Sequence, residues 1–109
     1  LAYSSTDSYP VSKFHSLIVP KRHVRDYFEL SAEEVQACHE LILKTKEKIL
    51  KEDITVKGFN IGTNSGKTAG QSIMHCHIHL IPRREGDVDN PQGGVRSVIP
   101  LKQHYTRKK

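Results

Sequence analysis

Three histidines at alternate positions give this sequence its clearest chemical potential. His75, His77 and His79 occur within the run MHCHIHLI. Side chains along a β-strand alternate between two faces, so a strand here places the three imidazoles in a row on one face. The opposite face is then expected to pack on the core, with Met74, Cys76, Ile78 and Leu80.

Such a row fits a solvated sheet face, a metal site or a nucleophilic site. A solvated sheet face normally uses Thr, Lys or Glu rather than histidine. The first and third histidines of a strand lie roughly 13 Å apart, so one zinc ion cannot reach all three, but two neighbours with Asp87 or Asp89 form an alternative metal site. In a nucleophilic site, a central imidazole attacks with one ring nitrogen while the other nitrogen donates a hydrogen bond.

The loop before the histidines favours the nucleophilic site. Residues 64–70 have the composition of a tight loop, and Gly66 and Gly70 allow backbone N–H groups to approach an anion closely. Gln71 and Ser72 add side-chain donors where the chain reaches the histidines. We therefore predict a phosphate cradle next to the histidine row.

Two segments of the chain resemble the histidine triad superfamily. The first is Asn64-x-Gly66-x-x-Ala69-Gly70-Gln71-Ser72-x-x-His75-x-His77-x-His79-x-x-Pro82-Arg83, and the second is the run HSLIVPKRH at residues 15–23. The resemblance extends from about Ala2 to Arg83 and implies an α+β, HIT-like fold. It also implies that the N-terminal segment of the family domain, which supplies much of the purine pocket, is missing here.

The resemblance assigns roles to particular residues. His77 would attack the α-phosphorus of a nucleotide and His79 would contact the phosphate and the leaving group, while His75 and His15 would orient these rings. The substrate-binding residues it implies are Asn64, Gly70, Gln71 and Ser72 at the phosphate and Asp7 at the ribose hydroxyls; Arg83 is a further candidate on its charge. It implies no metal ligand and no resident cofactor, and leaves open a divalent cation that accompanies the substrate phosphates.

The run LIPRREGD at residues 80–87 resembles the fragile-histidine-triad branch, which cleaves dinucleoside polyphosphates. Arg83 and Arg84 would either hold distal phosphates or form an ordinary exposed basic turn. We expect a nucleotide hydrolase or nucleotidyl transferase that acts on a purine nucleotide as a homodimer. A nucleoside phosphoramidate hydrolase and a non-catalytic nucleotide-binding dimer are the alternatives.

The elements that position these residues are one long helix and an antiparallel sheet of about five strands. The helix is predicted from Ala32 to Lys51, because Ser31 and Glu34 form a capping box and apolar residues recur at helical spacing. A short helical turn is expected around residues 24–30. The predicted strands are residues 1–11, 15–19, 54–62 and 71 or 72 to 82, with an edge strand or an arm at 95–101.

The size and charge of the chain restrict its class. With 109 residues it fits a single domain, 1–109, in which residues 84–109 form a C-terminal extension or arm. The net charge of +5 favours phosphorylated ligands, although the basic tail Arg107-Lys108-Lys109 is expected to be simply solvated. A membrane span is excluded by the lack of a long apolar stretch, and few aromatic residues make nucleic-acid binding a poor fit.

The cysteines and the N-terminus suggest where the protein works. Cys38 and Cys76 do not have the CxxC spacing, and we expect them to be reduced thiols. Because reduced thiols are typical of the cytosol, we expect a cytoplasmic protein. The first residues, LAYSSTDSYP, do not resemble a secretion signal, and the absence of an initial Met indicates a missing N-terminal piece.

Overall fold

The computed structural model describes residues 1–106, so the expectation for the basic tail at 107–109 lies outside the described residues. Its single long helix, α1, spans Ala32–Glu52 and begins with the predicted capping box. The Ser31 hydroxyl accepts a hydrogen bond from the Glu34 N–H, and the Glu34 carboxylate accepts one from the Ser31 N–H. Arg22 adds two hydrogen bonds to the same carboxylate, at 2.7 and 3.1 Å, which tie the helix start to the loop after β2.

The sheet has four antiparallel strands rather than the five predicted. These are β1 (Ala2–Thr6), β2 (Ser16–Pro20), β3 (Val56–Gly62) and β4 (Ile78–Arg84), in the order β1-β2-β4-β3. The expected edge strand at 95–101 is absent from the described residues, because a 3₁₀ turn at Gly94–Val98 satisfies its backbone groups locally. The short helical turn after β2 is confirmed as a 3₁₀ turn at Tyr27–Glu29.

The core lies between α1 and one face of the sheet. One cluster joins Ile18, Ile78 and Cys38, and the other joins Leu80, Val56 and Ile49. In an antiparallel sheet, residues two apart along a strand share a face. Because Ile78 and Leu80 point towards α1, His79 and its neighbour Ile81 point to the opposite face, which α1 does not cover.

The histidine segment departs from the predicted strand. β4 begins at Ile78, so residues 71–77 are irregular, and the Cys76 N–H donates to the Val24 carbonyl outside the sheet. The alternation of burial nevertheless extends over residues 75–80, with the histidines partly exposed and Cys76 buried. Met74 was wrongly predicted to pack on the core: it lies before this alternation and is 42% exposed.

Both cysteines are buried free thiols. Burial raises the pKa of the Cys76 thiol to about 11, so the thiol is neutral and packs as a small apolar group. No helix among the described residues is long and apolar enough to cross a membrane.

Candidate active site

His77 presents one ring nitrogen with a free lone pair. Its Nδ1 atom lies 2.9 Å from the backbone oxygen of His75. A carbonyl oxygen can only accept a hydrogen bond, so Nδ1 carries the proton and Nε2 of the neutral ring is unprotonated. The Thr63 hydroxyl donates to the His77 carbonyl at 2.7 Å and holds this residue at the entry to β4. The contact with His75 therefore leaves Nε2 of the neutral His77 ring with a free lone pair, which a nucleophilic nitrogen requires.

A chain of hydrogen bonds fixes the tautomer of His79. The Val11 N–H donates to Nδ1 of His15 at 3.1 Å, so the proton of neutral His15 lies on Nε2. That Nε2 is 2.9 Å from Nδ1 of His79, which must accept. The remaining nitrogen of His79, Nε2, therefore carries a proton. His15 is 3% exposed, so water does not compete at this relay.

Burial keeps His79 neutral. The pKa of His79 is lowered from its usual value of 6.5, first by burial, and then by the neighbouring His15 and His77. Asp7 acts in the opposite direction, but its effect is the smallest of the four. The rings of His77 and His79 meet edge to face with centroids 5.3 Å apart, so a neutral donor lies beside the nucleophile.

Asp7 lies against the two relay histidines. Its Oδ2 is 3.4 Å from Nε2 of His15 and 3.8 Å from Nδ1 of His79, while Oδ1 accepts from the Tyr9 N–H at 2.8 Å. Sequence reasoning without the resemblance gives no reason to place Asp7 near the triad, because Asp7 lies eight positions before His15.

His75 makes two contacts: its backbone carbonyl accepts from the His77 ring, and its own ring binds the end of β2. Nε2 of His75 donates to the Pro20 carbonyl at 2.9 Å, so its Nδ1 is an acceptor. Nδ1 of His23 lies 2.9 Å from that atom and must be the donor. Sequence reasoning did not select His23, although it ends the HSLIVPKRH run.

The glycine loop adopts the special backbone geometry that its composition predicts. Gly66 has φ 93° and Gly70 has φ 96°, values that favour glycine. Their N–H groups, however, are used inside the loop: Gly66 donates to the Gln71 side chain, and Gly70 donates to the Lys67 carbonyl. These two N–H groups therefore brace the loop and are not free to bind an anion.

Gln71 and Ser72 are adjacent but lie in different environments. Gln71 is 3% exposed; its amide oxygen accepts from the Gly66 N–H, and its amide nitrogen donates to the carbonyls of Arg25 and Ile73. Both amide hydrogens are used, so the Gln71 side chain has no donor left for a phosphate. Ser72 is exposed, as is Asn64, whose amide lies 3.9 Å from the position of a Cβ at Gly70.

Arg83 and Arg84 are engaged with acidic side chains. Arg83 binds both carboxylate oxygens of Asp87, at 2.8 and 2.9 Å, and donates to Asn60 at 2.7 Å. Arg84 binds Asp53 at 3.0 Å, which ties β4 to the end of α1. Both positive charges are compensated within the chain, which favours a structural turn over a site for distal phosphates.

The protonation pattern does not fit a metal ion at the triad. Of the described residues, Asp7, His15 and His79 form the group whose ligand atoms are close enough to share an ion. A metal-bound histidine normally donates its second ring N–H, whereas Nδ1 of His15 accepts from Val11. Asp87, proposed as a metal ligand in the alternative site, is instead held by Arg83.

Comparisons with known proteins identify the family. A HIT domain description matches residues 1–86. The uncharacterized HIT-like protein MJ0866 of Methanocaldococcus jannaschii is 40% identical over 81 residues, covering 74% of this chain and 61% of that protein. Adenylylsulfatase HINT3 of Arabidopsis thaliana is also 40% identical over 81 residues, covering 74% of this chain and 41% of that protein.

A solved structure agrees with these sequence matches. The crystal structure of a HIT family protein from Bacillus anthracis superposes with a TM-score of 0.73 at 30% identity, over 99% of this chain and 66% of that one. The chain thus spans about three fifths of MJ0866 and two fifths of HINT3. With the paired motifs and the histidine cluster, these matches show that the chain belongs to the HIT, or histidine triad, family.

Proposed function

We propose that the chain is a nucleotide hydrolase that forms a covalent nucleotidyl intermediate on His77. The observation that carries this proposal is the tautomer of His77: the His75 carbonyl holds the proton on Nδ1, so Nε2 is free to attack. His79 stands beside it as a neutral N–H donor. A nucleophile oriented by a backbone group and next to a hydrogen-bond donor matches the general requirements of covalent catalysis.

In the first step, the lone pair of Nε2 of His77 forms a bond to the α-phosphorus. The bond from phosphorus to the bridging oxygen breaks, and its electron pair leaves with the departing group. The Nε2–H of His79 hydrogen-bonds to the oxygen on which charge develops. His77 keeps its Nδ1 proton, so the intermediate is an imidazolium whose positive charge is stabilised by the His75 carbonyl.

In the second step, water attacks the same phosphorus and the bond to His77 breaks. The electron pair returns to Nε2, the water loses a proton to solvent, and a nucleoside monophosphate is released. Transfer to an acceptor other than water would use the same intermediate. The state of His77 at the end is the one in which it began.

The polar groups around the triad that retain some exposure are the ones we assign to substrate. Asn64 and Ser72 bind phosphate oxygens, Gly70 lines the loop beside them, and Asp7 binds the ribose hydroxyls from its place next to His15. Gln71 acts indirectly, because both its amide hydrogens are used in the chain. Arg83 also acts indirectly, because Asp87 compensates its charge with two hydrogen bonds.

Dinucleoside polyphosphates are the substrates we favour, on the resemblance of residues 80–87 to the fragile-histidine-triad branch. A second candidate is adenylyl sulfate, because a relative that is 40% identical is named an adenylylsulfatase. Both reactions release a nucleoside monophosphate and differ only in the leaving group.

We also propose a homodimer, which the resemblance implies. Within the described sheet β3 is an edge strand, and its outer backbone groups are available for pairing with a second sheet. Sedimentation of the full chain as a dimer supports this proposal, and a monomer at all concentrations rejects it.

Turnover by wild type and His77→Ala tests the reaction. Diadenosine tetraphosphate, adenosine 5′-phosphoramidate and adenylyl sulfate are supplied in parallel, and release of adenosine monophosphate is measured. We expect turnover by wild type and its loss in the variant, with unchanged binding of adenosine monophosphate. Equal turnover by the two proteins, or binding without turnover by wild type, would exclude the proposed hydrolase.

A further inference from the structure

A groove continues from His79 along the uncovered face of the sheet. Its cavity has a volume of about 720 Å³, within the usual range for sites that bind drug-sized molecules. One wall is the outer face of β3 and β4, with Gly62, His79 and Ile81, and the other is the segment after β4, with Val95, Val98 and His104. At its His79 end the groove meets the proposed phosphate site, and the rest of it extends beyond the groups that act on the α-phosphorus.

The second wall is held together by hydrogen bonds within the segment after β4, and it packs against the sheet. Gln103 donates to the Asn90 and Gln92 carbonyls, and the Gln103 carbonyl approaches Gly93 so closely that no side chain fits there. A Cβ at Gly94 would lie 3.2 Å from the Asn60 amide, so this segment packs directly against β3. The arm predicted after residue 84 is therefore a wall of the groove.

Gly62 leaves the groove open next to His79. The two residues are paired across β3 and β4, and paired residues share a face with Cβ atoms about 5 Å apart. A Cβ at Gly62 would meet nothing within 4 Å, so glycine is not required there by packing. Any larger side chain at position 62 would project into the groove beside the His79 ring.

The charges of the groove do not suit a small anion. Arg83 is the permanent cation among its described lining residues, and Asp87 neutralises it with two hydrogen bonds. Asp89 adds a carboxylate that faces the same groove. The remaining walls combine the apolar side chains of Ile81, Val95 and Val98 with amide groups, which suits a flat, uncharged group with hydrogen-bonding edges.

We propose that this groove binds the leaving group of the substrate, that its occupant is a nucleoside, and that Gly62 admits it beside His79. The inference rests on the proposed function, because only a leaving group bound to the α-phosphorus must pass His79. The phosphates of that leaving group stay near the triad, and the uncharged nucleoside lies between Ile81 and Val95. A leaving group that is only sulfate or an amine gains nothing from the groove.

The test compares two substrates on two matched variants of the full chain. Gly62→Leu fills the groove, and Gly58→Leu makes the same change in the same strand, where a Cβ also meets nothing within 4 Å but where the His79 groove is not lined. We expect Gly62→Leu to lower kcat/KM for diadenosine tetraphosphate by roughly tenfold or more. For adenosine 5′-phosphoramidate the change should stay within about twofold, and Gly58→Leu should alter neither substrate beyond that.

A second pair of variants, outside the strands, keeps the test valid if the strand variants misfold. Val95→Asp places a charge on the far wall, and Ile99→Asp places the same charge on an equally exposed apolar residue of the segment outside the groove. The Val95 variant should again lose activity selectively on the dinucleotide. Equal losses on both substrates, losses on neither, or wild-type turnover of the phosphoramidate alone would overturn the inference and leave the His77 chemistry standing. Turnover that survives His77→Ala would overturn the proposed function itself.

Discussion

Nε2 of His15 lies 2.9 Å from Nδ1 of His79, and this contact decides which nitrogen of His79 carries the proton. The direction of the bond is set farther back, by the N–H of Val11 on the other side of the His15 ring. A backbone N–H cannot accept, so the proton positions of both rings follow from one loop residue. The β1–β2 loop thus sets the proton positions of both histidine rings through one backbone N–H.

Replacing His15 should therefore impair catalysis more than binding. His15→Leu removes the donor to His79 and frees its ring to adopt the other tautomer. We expect kcat to fall by roughly ten- to a hundredfold, because loss of a general acid–base group costs about 10²–10⁴-fold and His79 is here only misoriented. KM should change little. His39→Leu, at an exposed position of α1, is the matched control; a His15 variant with unchanged kcat would refute the relay.

The stability of the fold should fall as pH decreases below 6.5. The pKa of His79 is lowered in the folded protein, mainly by burial, so the unfolded chain takes up a proton at a higher pH than the folded chain does. Stability from this group is therefore complete above 6.5 and decreases below it until the folded ring is protonated. Denaturation by urea at about pH 7.5 and about pH 5.5 measures this dependence. His79→Asn should weaken it; an identical dependence in the variant would contradict the lowered pKa.

Gln71 and Ser72 should respond oppositely to truncation. Gln71→Ala leaves the Gly66 N–H and two carbonyls without their partner, and each buried unpaired group costs about 1–3 kcal/mol. We expect the free energy of unfolding to fall by about 2 kcal/mol or more. Ser72→Ala should leave stability unchanged and raise KM, because Ser72 is exposed at the proposed phosphate site. A stable Gln71→Ala protein with a raised KM would contradict this account and show that Gln71 binds the phosphate directly.

The elements that follow from local patterns could be predicted from the sequence. The start of α1 was confirmed because the Ser31–Glu34 capping box is a contact between near neighbours. The glycine loop was recognised because Gly66 and Gly70 are residues that tolerate a positive φ. The opposite faces of His79 and Leu80 followed from the alternation of side chains along a strand, which local sequence also carries.

The parts that depend on distant contacts could not be predicted. The histidine strand begins late because residues 71–77 bond to Val24, Arg25 and Pro20, more than fifty positions away in sequence for Cys76 and His75. The donor role of Val11 has no sequence pattern, since every residue except proline carries the same N–H. The assignment of Arg83 to phosphate rested on charge alone, and charge does not reveal that Asp87 already holds it.

The central claim is that His77 carries the nucleotidyl group during turnover, and the mass of the intact protein tests it most directly. Wild type and His77→Asn are mixed with diadenosine tetraphosphate, quenched without acid, and analysed by mass spectrometry with mapping of any adduct. We predict one adenylyl group on wild type, located on His77, and none on the variant. An adduct on another residue, or turnover by wild type without any adduct at times shorter than one catalytic cycle, would contradict the mechanism.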